Sequence, residues 1–133
     1  MPWNARSDAR RLGPGITKSD VWASAKEGID QVGCVYTAQG FEFDYVGVNI
    51  GPDLVYRPMD GEWVGQPEES FDRVVNRGVT TAEFTDFVKS TYRVLLTRGL
   101  RGGYVYFANS STHDYVLSRT ERNSSREANA IEG

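Results

Sequence analysis

Residues 80–107 read TTAEFTDFVKSTYRVLLTRGLRGGYVYF, and this stretch decides the fold class. Thr80 followed by Glu83 is a capping-box pattern, in which a hydroxyl and a carboxylate each satisfy a backbone N–H at a helix start. Phe84, Phe87, Val88, Thr91, Leu95 and Leu96 then recur at helical spacing, which makes one face of the helix apolar. Gly99 supplies the stop. Tyr104 to Phe107 is a continuous β-prone run, the pattern of a parallel strand covered by helices on both faces. Strand, helix and strand in succession predict an α/β layer with a mainly parallel sheet.

Working toward the N-terminus, Tyr45 to Ile50 predicts a core strand carrying Val46, Val48 and Ile50, and Val32 to Tyr36 predicts a second, shorter one. Leu54–Tyr56 and Trp63–Val64 flank Pro58, Met59, Asp60 and Gly61, and the Asp-Gly pair has the turn chemistry of a surface β-hairpin. Ser70 is placed to cap a brief helix through Val75, stopped by Gly78. Ser19 is placed to cap another from about Asp20 to Gly28, with Trp22, Ala25 and Ile29 on one face. From Arg119 to Gly133 there is no apolar periodicity, so burial cannot offset the entropy of ordering. A frayed tail, 119–133, is expected after a domain spanning 1–118.

At 133 residues, 39% hydrophobic and 25% charged, the chain fits one globular domain, which at this size buries about two-thirds of its unfolded surface. A net charge of -3 excludes a wholly basic nucleic-acid coat, so any phosphate contact must be local. The single cysteine, Cys34, sits in an apolar run and forms no internal disulfide, which reads as a packing residue in a reducing compartment. Arg6, Arg10 and Arg11 precede no apolar core of secretory length and no stretch approaches membrane-spanning length, so a cytoplasmic protein without a membrane partner is expected. His113 is the only histidine and has no partner at ligand spacing; it reads as a solvent-facing loop residue and no metal site is expected.

Two strings carry candidate chemistry. The first is Tyr36-Thr37-Ala38-Gln39-Gly40-Phe41-Glu42-Phe43-Asp44-Tyr45-Val46, between the two predicted strands at a sheet edge of the kind ligands favour. It offers a hydroxyl, an amide and a carboxylate around a glycine that allows close backbone approach, and it also reads as an ordinary polar loop. The second is Thr91-Tyr92-Arg93-Val94-Leu95-Leu96-Thr97-Arg98-Gly99 at the end of the best helix, where a cation is favoured by the dipole alone. Glu42 and Asp44 are two apart and on a strand would share a face, the minimum for an acid–base pair. Arg73, Arg77, Lys89, Arg93, Arg98 and Arg101 read as solvated charges or as a nucleic-acid face. Tyr92, Tyr104, Tyr106 and Phe107 read as core aromatics before base-stacking platforms.

The two strings, in this order, resemble motifs V and VI of superfamily-1 helicases. The wider match, with Pro-Trp-Asn, Gly-Pro-Asp-Leu and Gly-Tyr-Val-Tyr-Phe segments, is to the Schlafen group 3-like DNA/RNA helicase domain family, from about Pro2 to Phe107. The resemblance implies a three-layer RecA-like, P-loop NTPase-like C-terminal lobe. It also implies that Arg98 is an arginine finger braced by Arg93, that Glu42 bonds ribose hydroxyls, that Gln39 and Gly40 line the cleft, and that Thr37 touches the nucleic-acid backbone. ATP and Mg²⁺ belong to the complete two-lobe protein, with neither expected on this chain alone.

A phosphate cradle is missing from the sequence. Gly13-Pro14-Gly15-Ile16-Thr17-Lys18-Ser19 lacks the glycine before Lys18 and follows no predicted strand, so it fails as a Walker A loop. The expectation is a lobe completed by an N-terminal P-loop lobe in cis or in trans, with DNA or RNA as further partner. The other reading is a stand-alone nucleic-acid-binding or protein-interaction module without ATPase activity.

Overall fold

The computed structural model describes residues 1–71 and 78–131. The expected helix from Ser70 through Val75, and Arg73 and Arg77 of the basic set, fall largely outside the described residues. The elements are α1 (Val35–Ala38), β1 (Phe43–Ile50), β2 (Leu54–Arg57), β3 (Glu62–Gly65), α2 (Thr81–Leu96), β4 (Gly99–Phe107) and α3 (Ser110–Ile131). β1 pairs with β4. Phe43 N–H donates to the Arg98 carbonyl where both strands begin, and Ala108 N–H to the Ile50 carbonyl where both end, each at 2.9 Å, so the pair is parallel. β2 and β3 are antiparallel, with Leu54 opposite Gly65 and Arg57 opposite Glu62, and form the expected hairpin. The protein is therefore α/β, with a parallel two-stranded sheet and an antiparallel pair. Among the described residues no helix is long and apolar enough to cross a membrane.

The chain divides into two units, Met1–Val46 with Arg93–Gly103, and Gly47–Tyr92 with Tyr104–Gly133. In the first, Trp3 bridges to Val32 and Ala5 to Lys18. The buried Gln31 side chain holds the intervening loops: Nε2 donates to the Gly15 and Glu27 carbonyls, at 2.9 and 2.8 Å, and Oε1 accepts from Thr17 N–H at 2.9 Å. This satisfies backbone groups that no ladder serves.

Two expected elements of this unit are corrected. Val32–Tyr36 is not a strand: after the Val32 bridge the chain enters α1 at Val35. The Trp22 ring lies so close over Gly33 that a Cβ there would fall within 2.9 Å of ring carbons, and Cys34 then stands at the helix N-cap, half-buried. Tertiary packing thus overrides the β propensity of Val32, Val35 and Tyr36. Asp20–Gly28 is not an α-helix but turns followed by a 3-10 segment, Lys26–Asp30. Trp22 spends its Nε1–H on the Gln31 carbonyl, and Ile29 is left 81% exposed.

In the second unit Leu54, Phe84 and Val88 form the core, with Trp63 and Tyr92 packed against it. The capping box at α2 forms as expected. Thr80 N–H donates to Glu83 Oε2 at 2.8 Å and Glu83 N–H to Thr80 Oγ1 at 3.3 Å. Gly65 lets the hairpin approach α2, because a Cβ there would meet Phe84 Cδ1 at 2.7 Å; its N–H donates to buried Thr85 Oγ1 at 2.8 Å. Phe87, expected on the apolar face, is exposed, since the core of this unit takes only the narrower stripe through Phe84 and Val88; Leu96, in the first unit, is exposed as well. At the carboxyl end of β1, Tyr92 Oη accepts from Gly51 N–H at 2.9 Å and donates to Asp53 Oδ1 at 2.7 Å. Burial pushes the Tyr92 hydroxyl pKa up; the Gly51 N–H opposes this and Asp53 adds to it.

Asn109 caps α3 through Thr112 N–H, and the buried Thr112 hydroxyl accepts from Tyr56 N–H, both at 2.9 Å, which ties α3 to β2. The Tyr56 and Tyr115 rings stack with centroids 3.5 Å apart. Residues 119–131 of the expected tail lie in the second half of α3. Arg, Glu and Ala are good helix formers, and Thr120, Arg122 and Ser124 each bond the carbonyl four residues back. His113 sits on this helix, not in a loop, exposed and 3.0 Å from Asp114 Oδ1.

Two outcomes check this description. Tyr92→Phe should lower unfolding stability in urea by about 1–3 kcal/mol, because Gly51 N–H and Asp53 lose a shared partner. The Thr80 N–H and hydroxyl hold the Glu83 pKa below the ordinary glutamate range. Its stabilising effect is therefore present above the unfolded pKa and lost as pH falls through the folded one. Melting followed from about pH 5 to about pH 2 should show a slope that is smaller in Glu83→Gln.

Candidate functional site

The first string does not lie between two strands. It forms α1 and the loop that leads into β1, at the N-terminal ends of the parallel pair. Open α/β sheets bind ligands at the carboxyl ends, so that argument for the string no longer applies. Adjacency is what remains: the loop enters β1 at Phe43, and Phe43 N–H is bonded to the carbonyl of Arg98, the last residue before β4. The end of the first string and the arginine of the second are thus neighbours along one edge.

Thr37 and Ala38 are the buried side of α1. Gln39 N–H returns to the Val35 carbonyl at 2.9 Å and Phe41 N–H to the Ala38 carbonyl at 3.2 Å. Between them Gly40 takes φ +85°, with open space where a Cβ would stand. Gln39, Gly40 and Glu42 are exposed, so their amide, backbone and carboxylate are accessible. Thr37 is not: it is 4% exposed, and its hydroxyl sits 3.3 Å from Asn4 Nδ2 and 3.2 Å from Cys34 Sγ. That burial does not fit direct contact between this side chain and a nucleic-acid backbone.

Arg98 is half-exposed and turns back on its own helix. Its Nε donates to the Val94 carbonyl at 3.2 Å and Nη2 to Thr97 Oγ1 at 3.4 Å, an interaction the helix dipole favours. Arg93 is exposed on the last turn of α2. Asp44 is engaged by Arg101 at 3.4 Å, both side chains well exposed, and Glu42 precedes the strand. The acid–base pairing of Glu42 with Asp44 therefore has no geometric basis.

In the glycine-rich loop 13–19 part of the backbone is already engaged. Its Thr17 N–H and Gly15 carbonyl are both spent on Gln31. Among the described residues no three His, Cys, Asp or Glu side chains group to hold a metal.

Reading along the chain missed Asn4, Gln31 and Tyr92 as organising residues. Their partners lie far away in sequence, and only the Pro-Trp-Asn and Gly-Pro-Asp-Leu segments hinted at them. Tyr104 and Tyr106, read as core, are 77% and 67% exposed, so β4 is not covered on both faces.

The model of the family described as Schlafen group 3, DNA/RNA helicase domain, matches residues 1–109. The chain belongs to this family. The matched span includes both strings and all four strands and stops before α3. Uncharacterized protein YPL245W of Saccharomyces cerevisiae is 32% identical over 106 residues, an alignment covering 76% of this chain and 23% of that protein. The chain thus spans about a quarter of the curated relative it matches. No solved structure matches it.

Gly40→Ala tests the loop conformation. With no neighbour to clash against, the cost should be the left-handed backbone alone, about 1–2 kcal/mol in chemical denaturation. An unchanged midpoint would show that the turn at Gly40 is not held.

Proposed function

We propose that this helicase-family domain is the C-terminal, RecA-like lobe of a two-lobe ATPase, and that it works against an N-terminal P-loop lobe in cis or in trans. The observation that carries this reading is the Phe43–Arg98 backbone bond, which joins the edge bearing Gln39, Gly40 and Glu42 to the edge bearing Arg98. ATP with Mg²⁺, cradled by the other lobe, supplies the phosphoryl group. In this chain Glu42 accepts from ribose hydroxyls, Gln39 and Gly40 line the cleft, and Arg98, with Arg93 beside it on the helix end, brings positive charge to the terminal phosphate. A guanidinium suits that task because it stays charged and offers a bidentate fork. DNA or RNA is the polymer the lobe pair acts on.

The resting position of Arg98 is compatible with this role. Its bond to the end of α2 is worth about 0.3–1 kcal/mol. An arginine finger contributes roughly a thousand- to hundred-thousand-fold in rate, about 4–7 kcal/mol of barrier. Releasing the Val94 carbonyl to solvent is a small cost beside that.

The test is ATP hydrolysis by this chain mixed with a P-loop lobe taken from a longer family member. Turnover should need both polypeptides, and Arg98→Ala should lower kcat by roughly a thousandfold or more. Equal turnover with Arg98→Ala would refute the assignment. The exposed Tyr104 and Tyr106 rings favour a second reading, a binding module without catalysis. Salt-dependent single-strand binding by the chain alone, without turnover in the mixture, would favour it.

A further inference from the structure

We infer that Thr37 is a positioning residue of this site and that Asn4 is the residue that holds it. The inference rests on the reading of Gln39–Glu42 as the nucleotide-facing loop. Pro2, Trp3 and Asn4 are laid along Val32 by two backbone bonds, Val32 N–H to the Pro2 carbonyl at 2.8 Å and Asn4 N–H to the Val32 carbonyl at 3.0 Å. That strap fixes Asn4, whose Nδ2 donates to Thr37 Oγ1 at 3.3 Å. The Thr37 hydroxyl also pairs with Cys34 Sγ, 3.2 Å away, where either group can donate.

A four-residue helix cannot hold itself. Helix nucleation is unfavourable, and so short an element persists only when outside contacts fix it. The buried residues of α1 are Thr37 and Ala38, and they face the outside contacts that fix it. The Asn4 amide supplies a polar tie at the buried face, where an unsatisfied hydroxyl would itself be costly. Everything downstream hangs from that turn. Ala38 N–H bonds the Cys34 carbonyl, Gln39 N–H the Val35 carbonyl and Phe41 N–H the Ala38 carbonyl, so the orientation of α1 sets where Gln39, Gly40 and Glu42 leave it. The arrangement also accounts for a threonine at this place in the motif: its hydroxyl points inward, onto the Asn4 amide and the Cys34 thiol.

Amide hydrogen exchange on the intact chain tests the tie directly. Thr37→Val and Asn4→Ala should each speed exchange at Gln39 and Phe41 by roughly tenfold, the worth of one hydrogen bond. Thr37→Ser, which keeps the hydroxyl, should leave both slow. The Gly65 amide, bonded to Thr85, should be unchanged throughout and so reports any general loss of fold. Unaltered exchange at Gln39 and Phe41 in Thr37→Val, or equal acceleration at Gly65, would overturn the proposal. In the two-lobe ATPase the same variants should raise KM for ATP while leaving kcat within about twofold, and Thr37→Ser should restore KM. Local acceleration with an unmoved KM would keep the tie but sever it from nucleotide binding, which overturns the positioning role. Loss of the Arg98 dependence alone would strike the ATPase reading and leave the exchange result standing.

Discussion

The hydrogen bond from Phe43 N–H to the Arg98 carbonyl is the constraint on which the rest of this domain turns. It registers the first residue of β1 against the residue before β4, and a parallel pair of this kind requires a crossover between the strands. The hairpin and α2 are that crossover. Because the first motif string runs into β1 and β4 starts where the other ends, pairing the strands in parallel is enough to bring the strings to a common edge. No side chain of either string has to find the other. Topology does the assembly.

Around that ladder, irregular backbone is held by a few polar side chains placed at crossings. Gln31 takes up a donor and two acceptors from loops that belong to no sheet, Tyr92 closes the turn after β1, and Thr112 joins α3 to the hairpin. Each answers the same requirement, that a backbone group removed from water needs a partner. Such nodes let long irregular segments persist around a modest apolar core of Leu54, Phe84 and Val88. They also make the domain sensitive to polar substitutions that a hydrophobicity pattern would pass over.

What could be read from the sequence followed the range of each signal. α2 was legible because Thr80, Glu83 and the apolar stripe lie within a few turns of one another, and the hairpin because Asp60-Gly61 states its own turn. β1 and β4 were legible from their β-prone runs, although exposure of Tyr104 and Tyr106 shows that an apolar run does not by itself say what covers it. Val32–Tyr36 failed for the opposite reason. Its local preference was for strand, and the deciding contacts, Trp22 over Gly33 and Asn4 on Thr37, come from residues that no local window includes. The candidate site divides in the same way: Gln39, Gly40, Glu42 and Arg98 were found through the resemblance of contiguous strings, whereas Asn4 was found only through the fold. α3 shows that lack of apolar periodicity argues against burial, not against helix, when the residues are good helix formers that bond their own carbonyls.

Arg98 is held at rest by a weak interaction with its own helix end. An exposed guanidinium tethered by 3.2 and 3.4 Å bonds to its own helix end is held, yet cheaply released, since the Val94 carbonyl can take water in its place. A lysine would satisfy the same carbonyl as a point charge, but it would lose the planar fork. The helix-end bond therefore tolerates either cation, whereas a bidentate contact of the kind proposed for Arg98 requires the guanidinium. The residue present is an arginine, and the β1–β4 ladder fixes its backbone beside the motif loop.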